Sequence, residues 1–220
     1  MKTFFMKNRK KDIVLAVTLS LFIISFAIVF TVFFKYLYYF DIHYLDITSY
    51  TYMSEDIIKM NYDILIQYQS LFFRGTLNMP NFIMSETGRI HFEEVKRIFE
   101  MIQILCIGTG IISSVLIYQS TKEKEYRYLK MTSILTVTIP TVIGFLASLD
   151  FDQAFVIFHK IFFRNDYWIF DSYTDPVIRI LPQDFFMHCF ILIIVIIMLL
   201  SSLCYLIYKR KEREIIKEDL

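Results

Sequence analysis

Residues 13–34 read IVLAVTLSLFIISFAIVFTVFF, a run with no charged side chain. Coiled as an α-helix at about 1.5 Å per residue, it spans the roughly 30 Å of a bilayer's hydrocarbon core. The basic stretch ahead of it gives the look of a secretory leader. Its apolar core is too long for one, however, and no small-residue cleavage site follows, so it reads as a retained signal anchor. Three further uncharged runs have spanning length: 101–118, 131–149 and 185–208. With 56% hydrophobic and 18% aromatic residues and only 5 Gly and 4 Pro in 220 residues, the composition is too apolar for an ordinary soluble domain. The expected fold is an all-α integral membrane protein with four transmembrane helices.

Charge supplies the orientation, because Lys and Arg near span ends stay on the cytoplasmic side. The tail before Ile13, the loop 119–130 and the tail 209–220 hold 14 of the 23 basic residues and only seven of the 22 acidic ones. That distribution leaves +7 on one side and −6 on the other, hidden beneath a net charge of +1. Both termini are therefore expected in the cytoplasm, and two outer segments, 35–100 and 150–184, form a mainly helical extracytoplasmic cap. Near-neutral overall charge gives no indication of nucleic-acid binding. Cys106, Cys189 and Cys204 all fall inside predicted spans, which favours packing over disulfides or a zinc cluster.

Within the first outer segment, Ser54-Glu55-Asp56 heads a stretch whose apolar residues Ile57, Ile58, Ile64, Leu65, Tyr68 and Phe72 recur at roughly helical spacing. Arg74-Gly75 and Met79-Pro80-Asn81 interrupt it, and Ser85 begins a second helix through His91 into the second span. The second outer segment offers a helix over 155–163, then an aromatic and acidic run punctuated by Pro176 and Pro182. Pro140 and Gly144 are expected to kink the third span, and Gly108-x-Gly110 with Ser113 and Ser114 offers a small-residue packing face.

No span carries an unpaired Asp, Glu, Lys or Arg deep in its core, which argues against a pump or proton-coupled transporter. Phosphate loops, nucleophile elbows and His-Glu-x-x-His zinc motifs are also missing. Of the four histidines, His43 lies in an aromatic linker and His188 at the mouth of the fourth span. His91 and His159 stand in the outer segments, and imidazole titrates near neutral pH. From periodicity alone each is an interfacial polar group on an apolar helix. His91 with Glu94 also has the spacing of a two-ligand metal site, although no third ligand follows.

The motifs around these histidines resemble the bacterial lipoprotein intramolecular transacylases, small four-span membrane proteins of Gram-positive bacteria. The first segment carries Phe72-Phe73-Arg74-Gly75-Thr76-Leu77-Asn78 and His91-Phe92-Glu93-Glu94-Val95-Lys96. The second carries Phe158-His159-Lys160-Ile161-Phe162-Phe163, Trp168-Ile169-Phe170-Asp171, Thr174-Asp175-Pro176-Val177-Ile178 and Ile180-Leu181-Pro182-Gln183-Asp184-Phe185-Phe186. Glu94, Ser172 and Gln183 depart from the family's expected Asp, Pro and Glu.

The resemblance implies an enzyme of the bacterial cell membrane that moves one acyl chain within a diacylglyceryl-modified lipoprotein. The chain passes from the glycerol to the α-amino group of the N-terminal cysteine, giving a lyso-form lipoprotein. Under that reading His91 and His159 form an acid-base pair. Arg74 serves as an oxyanion donor or a headgroup anchor. Asp175 orients a histidine or caps the following helix, while Trp168 sits at the headgroups or lines an acyl groove. No metal or cofactor is called for, and the partners are the lipoprotein substrate and membrane lipid. Two alternatives remain open on the residues: a non-catalytic four-span accessory protein that binds a membrane partner or lipid, and a metal-dependent hydrolase built on His91 and Glu94.

Overall fold

The computed structural model describes residues 9–218, and every regular element among them is helical. Lys2, Lys7 and Asp219, which enter the charge asymmetry, lie outside the described residues. Four helices are long and apolar enough to cross a membrane: α1 (Arg9–Phe33), α5 (Glu86–Lys122), α6 (Arg127–Leu149) and α8 (Gln183–Glu218). Between them come α2 (Lys35–Tyr44), α3 (Ile47–Thr51), α4 (Glu55–Tyr68) and α7 (Phe151–Phe162), with a 3-10 turn at Pro176–Ile180. Ile104, Ile111 and Ile112 on α5 and Leu199 and Leu203 on α8 are exposed. Such residues are a liability in water and the expected lining toward lipid.

The residues form two compact units. One lies within 1–28, 104–144 and 193–220. Its core is a stripe of α1, Leu15, Ala16, Leu19, Ile23 and Ala27, closed by Tyr128, Leu129 and Ile197. Ser201 Oγ donates to the Ser133 carbonyl at 2.8 Å, tying α8 to α6. Of the small-residue face, Gly110 meets the Phe22 ring, where a Cβ would come within 3.0 Å, so its close packing is used inside the chain.

The other unit comprises Val29–Gln103 and Phe145–Leu192 and holds both segments that carry the candidate chemistry. Its core gathers Tyr38, Ile42, Ile58, Tyr62, Leu65 and Phe92 with Val177, Ile180 and Phe185. Tyr38 stacks on Tyr62 with centroids 3.7 Å apart and donates its hydroxyl to the Ile180 carbonyl at 2.6 Å. In α4 the buried face is Ile58, Asn61, Tyr62, Leu65 and Tyr68, a 3.6-residue repeat. Phe72, expected on that face, lies beyond the helix end and is exposed, because the helix stops at Tyr68.

The predicted helix over 155–163 begins four residues earlier. Asp150 accepts the Gln153 N–H at 2.9 Å as an N-cap and nucleates α7 directly after α6. The irregular segment after α4 is fastened to α5 by two side chains on one helical face. The ammonium of Lys96 meets the carbonyls of Tyr68, Ser70 and Phe73, while Gln103 accepts from Leu71 N–H at 3.0 Å and donates to the Gln69 carbonyl at 2.9 Å.

Candidate active site

His91 stands near the start of α5, one turn and a half past a cap built from two distant parts of the chain. Ser85 Oγ accepts the Gly88 N–H at 2.9 Å, the usual bond of a helix N-cap. In a capping box the residue three positions on would return a side chain to the N-cap N–H. Here that residue is glycine, and Asp175 supplies the acceptor instead: the Ser85 N–H donates to its Oδ1 at 2.8 Å. A Cβ on Gly88 would fall 2.2 Å from that same oxygen, so the carboxylate fills the space where a side chain would lie. Thr174 Oγ1 donates to the other carboxylate oxygen at 2.8 Å. The expected roles for Asp175 are thereby corrected. It makes no side-chain cap to the following 3-10 turn and no hydrogen bond to a histidine; it closes the N-terminus of the His91 helix.

His159 occupies the last turn of α7, where its Nδ1 lies 2.7 Å from the Phe155 carbonyl four residues back. A carbonyl only accepts, so the proton of the neutral ring sits on Nδ1 and the Nε2 lone pair is left bare. The two rings lie with centroids 6.1 Å apart. Both are buried, His91 at 5% and His159 at 9% exposure. Burial pulls the His159 pKa below its ordinary value, only partly opposed by the Phe155 bond, so the ring is neutral at pH 7.

The walls are aromatic. Phe163 meets the His91 ring edge-on at 4.7 Å and Phe170 at 5.5 Å, while Phe155 lies 4.2 Å from His159. Trp168 stacks on His159 with centroids 4.7 Å apart and planes 28° apart, and its Nε1 is buried with no hydrogen-bond partner among the described residues. The Nδ1 of His91 is likewise buried and unpartnered. Thus the structure brings together three of the five residues singled out in the sequence, His91, His159 and Trp168, with Asp175 supporting the first.

Arg74 is not among the residues packed on the rings. It follows α4 in the irregular segment, exposed, and makes no hydrogen bond or ion pair among the described residues. Glu94 is committed elsewhere: Asn165 Nδ2 donates to both its carboxylate oxygens, at 3.0 and 3.2 Å. Asn165 Oδ1 in turn accepts the Tyr167 N–H at 3.1 Å, which ties the segment leading to Trp168 onto the His91 helix. Among the described residues no group of three metal-ligating side chains assembles. His188 and His43 each face an acid instead, with His188 Nδ1 2.8 Å from the fully buried Asp41 and His43 Nε2 3.3 Å from Glu55.

Phe163, Phe170 and Asn165 are site residues that pattern reading passed over. Phe163 and Phe170 carried a weak signal at most, an aromatic within a motif already noted for its histidine or tryptophan, and Asn165, between those two motifs, carried none.

Comparison with known proteins gives one consistent picture. Residues 13–186 match the family model described as lipoprotein intramolecular transacylase Lit. The solved structure of the membrane-integral Lit from Bacillus cereus is 38% identical, with a TM-score of 0.92 over 94% of this chain and 96% of that one. The same protein carrying a histidine-to-arginine mutation matches at 37% identity with a TM-score of 0.86, over 96% of this chain and 94% of that one. Its histidine-to-alanine counterpart matches at 38% identity with a TM-score of 0.85, over 94% of each chain. Among curated proteins, none matches. With most of its length matched by the family model and nearly all of it by the solved structure, the chain belongs to the lipoprotein intramolecular transacylase family.

Proposed function

We propose that the chain is a membrane transacylase that moves an acyl chain from the diacylglyceryl group of a bacterial lipoprotein to the α-amino group of its N-terminal cysteine. The amine attacks the ester carbonyl, a C–N bond forms, the C–O bond to glycerol breaks, and the proton lost by nitrogen is matched by one gained by the glycerol oxygen. An α-amine with a pKa of about 7.7–8.0 is partly protonated at neutral pH and needs a base. The observation that carries the reading is the pairing of two buried imidazoles, one with its Nε2 lone pair left free by the Phe155 carbonyl.

His159 takes the amine proton at Nε2, and the buried His91 ring relays it, giving an N–H proton to the departing oxygen as it receives one from the His159 imidazolium, so that both rings end neutral. General acid-base catalysis of this kind contributes roughly 10²–10⁴-fold. Holding amine and ester of one molecule in contact inside an aromatic, water-poor pocket contributes further through orientation. A purely binding role for the same pocket gives no reason for two unpartnered or half-free imidazoles at its centre. Donor ester and acceptor amine both belong to the outer leaflet. The asymmetry of basic residues supports an extracytoplasmic pocket, with the cap contributed by segments 35–100 and 150–184.

Mass spectrometry of lipoprotein N-terminal peptides tests the proposal. Cells expressing the wild-type chain are expected to yield lyso-form peptides with an amide-linked acyl chain. His91→Ala and His159→Ala, present in the membrane at normal levels, are expected to yield diacylglyceryl peptides only. Undiminished lyso-form product from either variant would refute the acid-base assignment.

A further inference from the structure

The sequence contains one tryptophan, and the structure puts it against His159 with a buried indole N–H that no described residue satisfies. A buried donor without an acceptor is costly, and folded proteins rarely keep one without cause. Trp168 is held in this arrangement rather than left to drift: Asn165 pins the approach to Glu94, the same asparagine accepts the Tyr167 N–H, and the indole face lies on the imidazole.

A tetrahedral intermediate places negative charge on the former carbonyl oxygen, and acyl transfer depends on donors aimed at that oxygen. Arg74, the donor suggested by sequence, is exposed and is not among the residues packed on the rings. An indole N–H suits the pocket better on physical grounds. It donates only and carries no charge that would be desolvated among phenylalanines.

We propose that the Trp168 N–H is the hydrogen-bond donor that receives the ester carbonyl oxygen of the lipoprotein and strengthens as that oxygen becomes an oxyanion. The inference rests on the acyl-transfer reading above and adds a third reacting-centre contact to the two histidines. No proton leaves the indole; it polarises the C=O while His159 removes the amine proton.

The decisive variant replaces Trp168 with benzothienylalanine through an amber codon, which keeps the two-ring shape and stacking while exchanging N–H for sulfur. Purified full-length enzyme in nanodiscs is assayed on a synthetic diacylglyceryl-cysteine peptide, with product quantified by mass spectrometry. The expected result is a fall in kcat of about 10²–10³-fold, typical of a lost oxyanion donor, with KM and the acidic limb of the pH profile unchanged. A role limited to stacking, which the isostere retains, would leave kcat, KM and the pH profile all unchanged.

Because Trp168 is the sole indole, resonance Raman of the wild-type protein gives a second readout. The N–H marker band is expected to shift when an amide analogue of the ester binds and to stay put with the corresponding ether, which has no carbonyl. A benzothienylalanine enzyme within about twofold of wild type, or equal shifts with both analogues, overturns the proposal. Inactive histidine variants alongside a fully active isostere would remove the donor role alone. Fully active histidine variants would remove the site reading and the donor role together.

Discussion

Gly88→Ala sets two effects of opposite sign against each other at the head of the His91 helix. Replacing a helical glycine by alanine normally stabilises by up to about 1 kcal/mol, because the unfolded chain has less freedom to lose. Here the added methyl would sit 2.2 Å from Asp175 Oδ1, 3.0 Å from its Cγ and 3.1 Å from Phe170 Cε1. The carboxylate must move by about 1 Å to restore an ordinary contact, which breaks the 2.8 Å bond from Ser85 N–H. Loss of a hydrogen bond to a charged group costs about 1.5–3 kcal/mol, and overpacking at a site that does not yield costs about 1–3 kcal/mol. Loss of the hydrogen bond outweighs the gain, leaving a net destabilisation of about 0.5–2 kcal/mol.

Equilibrium unfolding in mixed micelles measures the effect, and a double-mutant cycle with Asp175→Ala isolates its cause. With the carboxylate gone the methyl meets only a ring edge, so Gly88→Ala is expected to be neutral or stabilising in that background. A wild-type-background Gly88→Ala that raises stability, or a coupling energy near zero, would refute the shared capping box.

Three other expectations follow from the geometry. Because burial lowers the His159 pKa, the folded ring stays neutral through pH 6.5 while the unfolded ring takes up a proton there. This contribution to stability is therefore present above about pH 6.5 and is lost as pH falls below it. The quenching of Trp168 emission by the protonated ring, followed in an acid titration, should show a midpoint below 6.5; a midpoint above it would contradict the burial argument. Asn165→Asp sets a carboxylate against Glu94 and should cost about tenfold in transacylation, an order set by roughly 1.4 kcal/mol of lost docking. Adding Glu94→Gln restores a donor-acceptor pair and should recover most of that activity, and failure of the rescue would break the link between Asn165 and the site. Lys96→Met removes the cation shared by three backbone carbonyls after α4 and should lower unfolding free energy by about 1–3 kcal/mol, measured by the same micelle unfolding.

The four apolar runs were legible because a bilayer imposes a length and a composition that survive without any tertiary information. The helical face of α4 was readable for the same kind of reason, a period in the residues. Its C-terminal limit was not: Phe72 keeps the spacing, yet the chain has already turned to meet Lys96 and Gln103. Ser85 was readable as the start of α5, but the other half of its cap left no mark, since a box whose acceptor arrives from Asp175, far along the chain, has no i, i+3 signature. Arg74 drew attention through its motif and its charge, but charge gives no information about which way an irregular segment carries it. The histidines themselves became a pair through the resemblance; on periodicity they were two unrelated polar residues on greasy helices.

The group that orients His159 is a peptide carbonyl rather than an acidic side chain. Side-chain scanning is consequently blind to it: Phe155→Ala trims an aromatic wall and leaves the acceptor where it was. The imidazole's tautomer is inherited from the last turn of α7, so any sequence able to form that turn retains it. Only an edit to the peptide link itself, such as an amide-to-ester exchange, or an unwinding of the turn, can reset which nitrogen bears the proton.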